Sequence, residues 1–219
     1  MDIHQIAILW DMDGVLIDSG EPHFVAWVQT LADYKIAYPR ATFNATFGMN
    51  NGGILEYIFG YRISPELEME ISERKEASYR QAAVGNTHLL PGVKVWLDYF
   101  LEAGVPQAVT SGAPQENIDT MIRELQLQGY FGSTISGYYL PSKPDPEVFL
   151  LNARQIGIPP GQCIVIEDAV AGVQGALSAG MKCIAVTTTH PAGNLQAADM
   201  VVDRLDEIHP SRVLSLFPN

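Results

Sequence analysis

Five short apolar runs recur along the chain, and stretches with helical periodicity separate them. The runs are IAILW at 6–10, AVTS at 108–111, CIVIED at 163–168, CIAVT at 183–187 and MVVD at 200–203. Strands that alternate with helices form parallel sheets, because a crossover must return the chain to the same end of the sheet. Nearly continuous apolar runs are typical of strands buried on both faces. We therefore predict an α/β fold with a doubly wound, Rossmann-like parallel sheet.

One long segment, residues 19–86, departs from this alternation because it contains helical patterns only. Within it, Ser64-Pro65 is a typical helix start, with serine at the N-cap and proline at the first helical position. An apolar stripe with helical spacing lies earlier in the segment, at Phe24, Trp27, Val28 and Leu31. We predict an all-helical cap domain at 19–86, inserted into an α/β core of 1–18 and 87–219. The helices predicted within the core are 93–103, 115–127, 146–156, 169–179 and 205–216.

The composition excludes several classes of partner. The 219 residues are 47% hydrophobic and carry a formal net charge of -12, which opposes binding to nucleic acid and to anionic membranes. No apolar run approaches the length that spans a membrane, so we expect a soluble cytoplasmic protein, and a monomer. Cys163 and Cys183 each open an apolar run, and we expect both to be reduced, buried thiols.

The first apolar run ends in two aspartates that are one residue apart, within ILWDMDGVLID at 8–18. Alternate side chains of a strand point to the same face, so Asp11 and Asp13 would share one side if the strand continued through both. Two carboxylates held this close repel each other and need a cation, or a proton on one of them. A solvated strand end or acidic turn is the alternative interpretation.

Polar side chains also stand where later strands stop. Thr110 and Ser111 end the second run, Lys143 lies in SKPDPEVF before a helix, and Glu167-Asp168 ends a later strand. A doubly wound sheet brings these groups together at one edge, where such folds bind their ligands. The combination of hydroxyl, ammonium and carboxylate groups suits a phosphate with Mg²⁺, and the lack of histidine and cysteine argues against zinc. Taken singly, the lysine could be an ordinary loop residue and the hydroxyls could cap the next helix.

Four motifs in this order, DMDGVLIDS, VTSG, SKPDPEVF and VIEDAVAGVQGA, resemble the haloacid dehalogenase superfamily of aspartyl-phosphate enzymes. The resemblance is to its β-phosphoglucomutase-like branch of sugar-phosphate phosphatases and mutases. It implies that Asp11 is the nucleophile that attacks phosphorus and that Asp13 is the general acid/base. It further implies that Thr110 or Ser111, together with Lys143, holds the phosphoryl oxygens.

The same resemblance implies Mg²⁺ as the cofactor, with Asp11, Asp13, Glu167 and Asp168 as metal ligands. Asp168 is favoured as a direct ligand, whereas Glu167 could instead orient other groups. We expect Mg²⁺ and Lys143 to lower the pKa of Asp11, so that its carboxylate can attack a dianionic phosphate.

In the predicted cap, the resemblance points to His23, Asn51 and Lys75 as substrate-facing residues. A histidine beside aromatic residues is also a common structural feature, and Lys75 could belong to a solvated helix face. Asn51 stands where the related mutases carry an arginine for the second phosphate of a bisphosphate intermediate. Residues 19–20 and 85–88 are predicted hinges through which the cap would close over the active site.

These observations predict a Mg²⁺-dependent phosphatase that hydrolyses a small sugar or polyol phosphate through an aspartyl phosphate. A β-phosphoglucomutase-type phosphomutase is the alternative. A phospho-receiver signalling domain is less favoured, because its reactive aspartate lies on a later strand and it has no cap. A 2-haloacid dehalogenase would need neither Asp13 nor a metal site at Glu167-Asp168. An inactive binding module would be expected to lack one of these groups.

Overall fold

The computed structural model describes residues 3–217. The chain divides into two compact units. Met1–Asp18 and His88–Asn219 form the first, which we call the core unit, and Ser19–Thr87 form the second, which we call the helical unit. Among the described residues, no helix combines the length and the apolar character needed to cross a membrane.

The helical unit contains four α-helices, which are α1 (Gly20–Ala32), α2 (Arg40–Thr46), α3 (Asn51–Phe59) and α4 (Pro65–Ala83). Helix α4 begins as predicted, because the Ser64 hydroxyl accepts the Leu67 N–H at 3.3 Å and Pro65 is the first helical residue. On α1, Trp27 and Leu31 are buried in an aromatic-rich core. Val28, which the predicted stripe included, is 38% exposed and is not part of this core.

The core unit contains a six-stranded parallel sheet. Its strands are β1 (Ala7–Trp10), β2 (Gln107–Ser111), β3 (Ser133–Ser136), β4 (Cys163–Glu167), β5 (Lys182–Val186) and β6 (Met200–Val202). Their order is β3-β2-β1-β4-β5-β6, and every neighbouring pair is parallel. This is the order of a doubly wound Rossmann-like sheet, so the predicted fold class is confirmed. The central strand β1 lies between β2 and β4, whose carboxyl ends therefore flank Asp11.

The sequence did not reveal β3, which has the sequence STIS and lies at one edge of the sheet. Its residues are only partly buried, so it lacks the apolar run that marked the other strands. The glycines that flank β3 extend its pairing with β2. The Gly132 N–H donates to the Gln107 carbonyl at 2.8 Å, and the Gly137 N–H donates to the Ser111 carbonyl at 2.7 Å.

The helices of the core unit are α5 (Val93–Glu102), α6 (Gln115–Glu124), α7 (Glu147–Ile156) and α8 (Val170–Ser178). The predicted helix at 205–216 is wrong, because this segment forms two 3-10 turns, Leu205–Glu207 and Pro210–Leu216. Pro210 has no N–H to donate and disfavours a helical conformation at His209, which is extended with ψ 137°. Cys163 and Cys183 are buried free thiols, as predicted.

Candidate active site

Asp11 directly follows the central strand β1. Its N–H donates to the Ile166 carbonyl at 3.0 Å, which extends the pairing with β4 by one residue, and its side chain is almost buried. The chain then turns sharply at Gly14, which has a φ of +78° that disfavours residues with a side chain. The Gly14 N–H donates to the Ile17 carbonyl at 2.9 Å and closes the turn. The turn ends the strand direction shortly after Asp11.

Lys143 connects Asp11 to the end of β4. Its Nζ donates to Asp11 Oδ1 at 2.6 Å and to Glu167 Oε1 at 2.5 Å. The lysine lies between β3 and α7 and is mostly buried. The structure therefore brings together three predicted site residues that are far apart in sequence.

Three carboxylates form a compact acidic group at the carboxyl edge of the sheet. Asp11, Glu167 and Asp168 are buried and each offers an oxygen within 4.8 Å of the others. Glu167 Oε2 accepts the N–H groups of Asp168 and Ala169, both at 2.9 Å. With Lys143 on its other oxygen, Glu167 is already anchored on both sides, which suits an orienting role. Asp13 is partly exposed and is not a member of this group.

Further residues hold these carboxylates in place, and Thr189 is one that sequence reasoning missed. The Thr189 hydroxyl donates to Asp168 Oδ2 at 2.7 Å. A Cβ at Gly14 would overlap Asp168, and one at Gly172 would overlap Glu167, so a side chain at either position would displace the carboxylate. Thr189 lies three residues beyond the end of β5. Its position just after a strand is the signal that could have identified Thr189 from the sequence.

The two candidate hydroxyls at the end of β2 differ in their surroundings. Thr110 is fully buried, and its Oγ1 accepts a hydrogen bond from Asn152 Nδ2 at 2.7 Å. Asn152, on α7, also donates to the Val109 carbonyl at 2.6 Å. Ser111 lies one residue further along, and its Oγ accepts the Ala113 N–H at 3.1 Å in the turn after the strand. Thr110 thus packs against α7, whereas Ser111, the last residue of β2, contacts the turn that follows the strand.

Burial controls the ionisation of the acidic group. It raises the pKa of Asp11 to about 8, and the negative charges of Glu167 and Asp13 act in the same direction, while Lys143 opposes them. Burial also raises the pKa of Asp168 well above its ordinary value, against the opposing hydrogen bond from Thr189. Burial alone would lower the pKa of Lys143, but its two carboxylate partners raise it, so the lysine is charged. Lys143 thus lowers the pKa of Asp11 as expected, but burial outweighs it.

In the helical unit, the three predicted cap residues belong to one polar cluster, which is partly buried. His23 Nδ1 lies 2.9 Å from Lys75 Nζ, which donates to Glu76 Oε1 at 2.8 Å. Asn51 Nδ2 donates to the same Glu76 oxygen at 2.8 Å. Lys75 and Glu76 are only 3% and 6% exposed, so Lys75 is not part of a solvated helix face. His23 also stacks on Tyr79, with the ring centroids 4.0 Å apart.

Glu76 is the member of this cluster that the sequence did not reveal. Burial raises the pKa of Glu76, but Lys75, His23 and the hydrogen bond from Asn51 together lower it below its ordinary value. Glu76 is therefore ionised near neutral pH and balances the charge of Lys75. An ion pair between consecutive residues on a helix has no distinctive sequence spacing, so only the structure shows it.

The family profile of haloacid dehalogenase-like hydrolases matches residues 8–186, which include every core site residue described above except Thr189. The chain belongs to this family. Thr189 lies just beyond the matched region, at the same edge of the sheet.

Relatives within the haloacid dehalogenase-like family include phosphatases and a mutase. The chain is 27% identical to 5-amino-6-(5-phospho-D-ribitylamino)uracil phosphatase of Arabidopsis thaliana over 93% of its own length, but it spans only 55% of that protein. It is 28% identical to the fructose-1-phosphate phosphatase YqaB of Escherichia coli, covering 82% of this chain and 95% of that one. The crystal structure of β-phosphoglucomutase from Clostridium difficile is similar, with a TM-score of 0.82 and 25% identity over 96% of each chain.

Haloacid dehalogenase-like hydrolases generally use a divalent metal, and the acidic group fits one. Its donors are carboxylate oxygens, which Mg²⁺ prefers, and no histidine or cysteine takes part. The raised pKa values of Asp11 and Asp168 show that one lysine does not compensate three buried carboxylates. A cation bound between Asp11 and Asp168 would supply the missing positive charge.

Proposed function

We propose that the chain is a Mg²⁺-dependent phosphatase that hydrolyses a small sugar or polyol phosphate monoester through a phosphorylated Asp11. The observation that carries this proposal is the buried arrangement of Asp11, Lys143, Glu167 and Asp168 at the carboxyl edge of the sheet. The substrate class rests on the relatives, two of which are named for phosphate esters of a ribityl compound and of fructose.

In this mechanism the carboxylate of Asp11 attacks phosphorus, and the bond from phosphorus to the substrate oxygen breaks. Asp13 gives its proton to the leaving oxygen, and general acid catalysis of this kind contributes about 10²–10⁴-fold in rate. Asp13 then takes a proton from water, which attacks the phosphoryl group and releases inorganic phosphate and free Asp11. Because Asp13 stands outside the acidic group, we assign it this proton transfer rather than a side-chain bond to the metal.

Lys143 and the hydroxyl at the end of β2 would hold the phosphoryl oxygens. Lys143 is charged and already donates to Asp11, so its ammonium is placed beside the attacking oxygen. Of the two hydroxyls we propose Ser111, because it is the last residue of β2 and bonds the turn after the strand, whereas Thr110 packs against Asn152 of α7. Bound Mg²⁺, held by Asp11 and Asp168, would supply positive charge that keeps Asp11 ionised and offsets the charge of the phosphate.

Glu76 argues for hydrolysis over the mutase alternative. A mutase must also bind the non-reacting phosphate of a bisphosphate, and Asn51 stands where an arginine would do so. Here the Asn51 amide donates to the ionised carboxylate of Glu76, whose charge Lys75 balances, so the cluster offers no net positive charge to a second phosphate. The likeness to the Clostridium difficile mutase keeps isomerisation as the second candidate. We propose that His23, Asn51 and Lys75 instead contact uncharged hydroxyl groups of the substrate.

The proposal is tested by a panel of phosphorylated metabolites, assayed for phosphate release with Mg²⁺ and again with a chelator. We expect release from sugar or polyol phosphates that stops when the metal is removed and in the Asp11→Asn variant. Release that is equally fast with the chelator would contradict the metal assignment. β-Glucose 1-phosphate with a trace of the 1,6-bisphosphate separates the two functions, because isomerisation much faster than phosphate release would identify a mutase.

The hinges at 19–20 and 85–88 stay a prediction. Gly85 has a φ of +73° and can absorb a backbone rotation that other residues resist. Small-angle scattering with and without a metal fluoride that mimics phosphate would measure closure. An unchanged profile at full occupancy of the site would count against it.

A further inference from the structure

Thr189 makes a contact to the acidic group that the mechanism above does not use. It lies three residues beyond the end of β5 and is partly buried. Its Oγ1 is 2.7 Å from Asp168 Oδ2 and 3.1 Å from the Asp168 carbonyl oxygen. The hydroxyl has one proton to donate, and the shorter distance assigns that proton to the carboxylate.

A glycine confines the same carboxylate oxygen from a different loop. An added Cβ at Gly14 would overlap Asp168 Oδ2 and would also lie 3.1 Å from Thr189 Cγ2. Asp168 Oδ2 therefore lies against the backbone of the turn after β1 and against the hydroxyl after β5. With one oxygen fixed on two sides, the orientation of the whole carboxylate is determined.

His190 extends this arrangement by one residue. Its Nδ1 lies 2.9 Å from Thr189 Oγ1 and 3.2 Å from the Asp168 carbonyl oxygen, and both distances fit a donated hydrogen bond. Since the Thr189 proton goes to Asp168, the tautomer of His190 with a proton on Nδ1 suits both contacts. The Thr189 hydroxyl is then held as donor and acceptor at once, which fixes its direction.

We propose that Thr189 is a positioning residue that orients Asp168 toward the divalent cation and so sets the affinity of the site for metal. The inference rests on the proposed function only in its assignment of Asp168 as a metal ligand. Groups that hydrogen-bond a metal ligand fix its orientation, and their loss commonly costs about 10–100-fold in metal affinity. Without the hydroxyl, Asp168 must be ordered by the metal itself, and that ordering reduces the binding free energy.

The test compares Thr189→Val, which removes the hydroxyl at nearly constant shape, with Thr189→Ser, which keeps it. Thr187→Val is the matched control, because Thr187 is in the same loop and its hydroxyl donates to Asp203 at 2.6 Å rather than to Asp168. Calorimetric titration of metal-stripped protein with Mn²⁺ or Mg²⁺ reads binding without any substrate. We expect the dissociation constant to rise about 10–100-fold in Thr189→Val and to stay near the wild-type value in the other two.

The outcomes separate this inference from the proposed function. If the wild-type protein binds neither metal, the metal assignment fails and the role of Thr189 fails with it. If the wild-type protein binds metal and folded Thr189→Val binds it equally well, only the role of Thr189 is wrong. A melting curve of each variant shows whether it is folded. If Thr189→Val is not folded, Thr189→Ala takes its place in the titration. A loss of affinity in Thr187→Val as large as in Thr189→Val would also contradict the proposal, because it would reflect the loop rather than the hydroxyl.

Discussion

Lys143 shows what a single residue contributes to this site. Its ammonium bridges Asp11 and Glu167, so one positive charge is shared between two carboxylates while Asp168 lies beside them. Burial then favours the protonated form of Asp11, even though the proposed reaction needs the ionised form. The protein groups thus build a site in which added positive charge, such as a bound divalent metal would supply, favours ionisation of Asp11 near neutral pH.

The first prediction at this scale concerns pH. Burial raises the pKa of Asp11 to about 8 in the folded metal-free protein, against an ordinary value of 3.8, so between these pH values the folded state binds more protons than the unfolded state. The free energy of unfolding of metal-stripped protein should therefore fall as the pH rises through this window, by at most about 1.4 kcal/mol per pH unit from this group. Thermal melts across the window measure it, with Asp11→Asn as the variant that should flatten the slope. A slope that is the same in both proteins would contradict the assignment to Asp11.

The second prediction separates the two hydroxyls of β2. Ser111→Ala should lower kcat/KM about 100-fold, the typical loss for one donor to a reacting oxyanion, with little change in stability. Thr110→Val should do the reverse, costing about 1 kcal/mol of stability because Asn152 Nδ2 loses one of its two acceptors, while activity stays within a few-fold. Steady-state kinetics and urea unfolding of both variants would be compared. Larger kinetic damage from Thr110→Val would assign the phosphate contact to Thr110 instead.

Sequence reasoning placed the residues that end strands and missed those that support them. Asp11, Lys143 and Glu167 interrupt or follow apolar runs, so their type and place were readable, and the structure brings them within hydrogen-bonding distance. Thr189 and Glu76 act through their partners, and which partner a polar side chain meets depends on tertiary packing. The sequence alone does not contain that information in a local pattern.

At the scale of elements, the first turn of α8 is adapted to the carboxylate that precedes it. Gly172 lies in this turn, and a Cβ there would overlap Glu167. Gly172→Ala should favour the helix by propensity, yet it should displace Glu167 and with it Lys143. We expect kcat/KM to fall about 100-fold, as for a small misplacement of reacting groups. Gly161→Ala, where an added Cβ meets nothing within 4 Å, is the control, and equal activity of the two variants would contradict this account.

Strands were predicted from the sequence where burial on both faces requires an apolar run, and a helix was predicted where an N-cap residue marks its first turn. Strands β1, β2, β4 and β5 and helix α4 belong to this group. β3 was missed because it has serine or threonine at three of its four positions, whereas the other edge strand, β6, has the apolar run MVV and was predicted although it too is only partly buried. The segment 205–216 has helical periodicity, but Pro210 interrupts the backbone hydrogen bonds that periodicity presumes.

For the whole molecule, the net charge of -12 bears on what can bind. The proposed substrate is anionic and the protein is acidic, so we expect its phosphate to depend on Lys143, on backbone N–H groups and on metal for favourable contacts. In the helical unit, Glu76 balances the charge of Lys75, so this ion pair offers no net positive charge to a second phosphate. Which sugar or polyol is bound depends on shape and hydroxyl contacts that no motif specifies, so the substrate could not be predicted beyond its class.

The central claim is that Asp11 carries the phosphoryl group. Acetyl phosphate tests it directly, because acetate is a leaving group that needs no proton. The Asp13→Asn variant should therefore still be phosphorylated by it. The same variant should release phosphate slowly, because it lacks the group that takes a proton from water. Acid-quenched Asp13→Asn protein, digested and analysed by mass spectrometry, should carry one phosphoryl group on the peptide with Asp11. The adduct should form only with Mg²⁺ present, and it should be absent from the double variant that carries both Asp13→Asn and Asp11→Asn. Phosphorylation at another aspartate, or release of phosphate by wild-type protein with no adduct on Asp11 in the variant, would contradict the account.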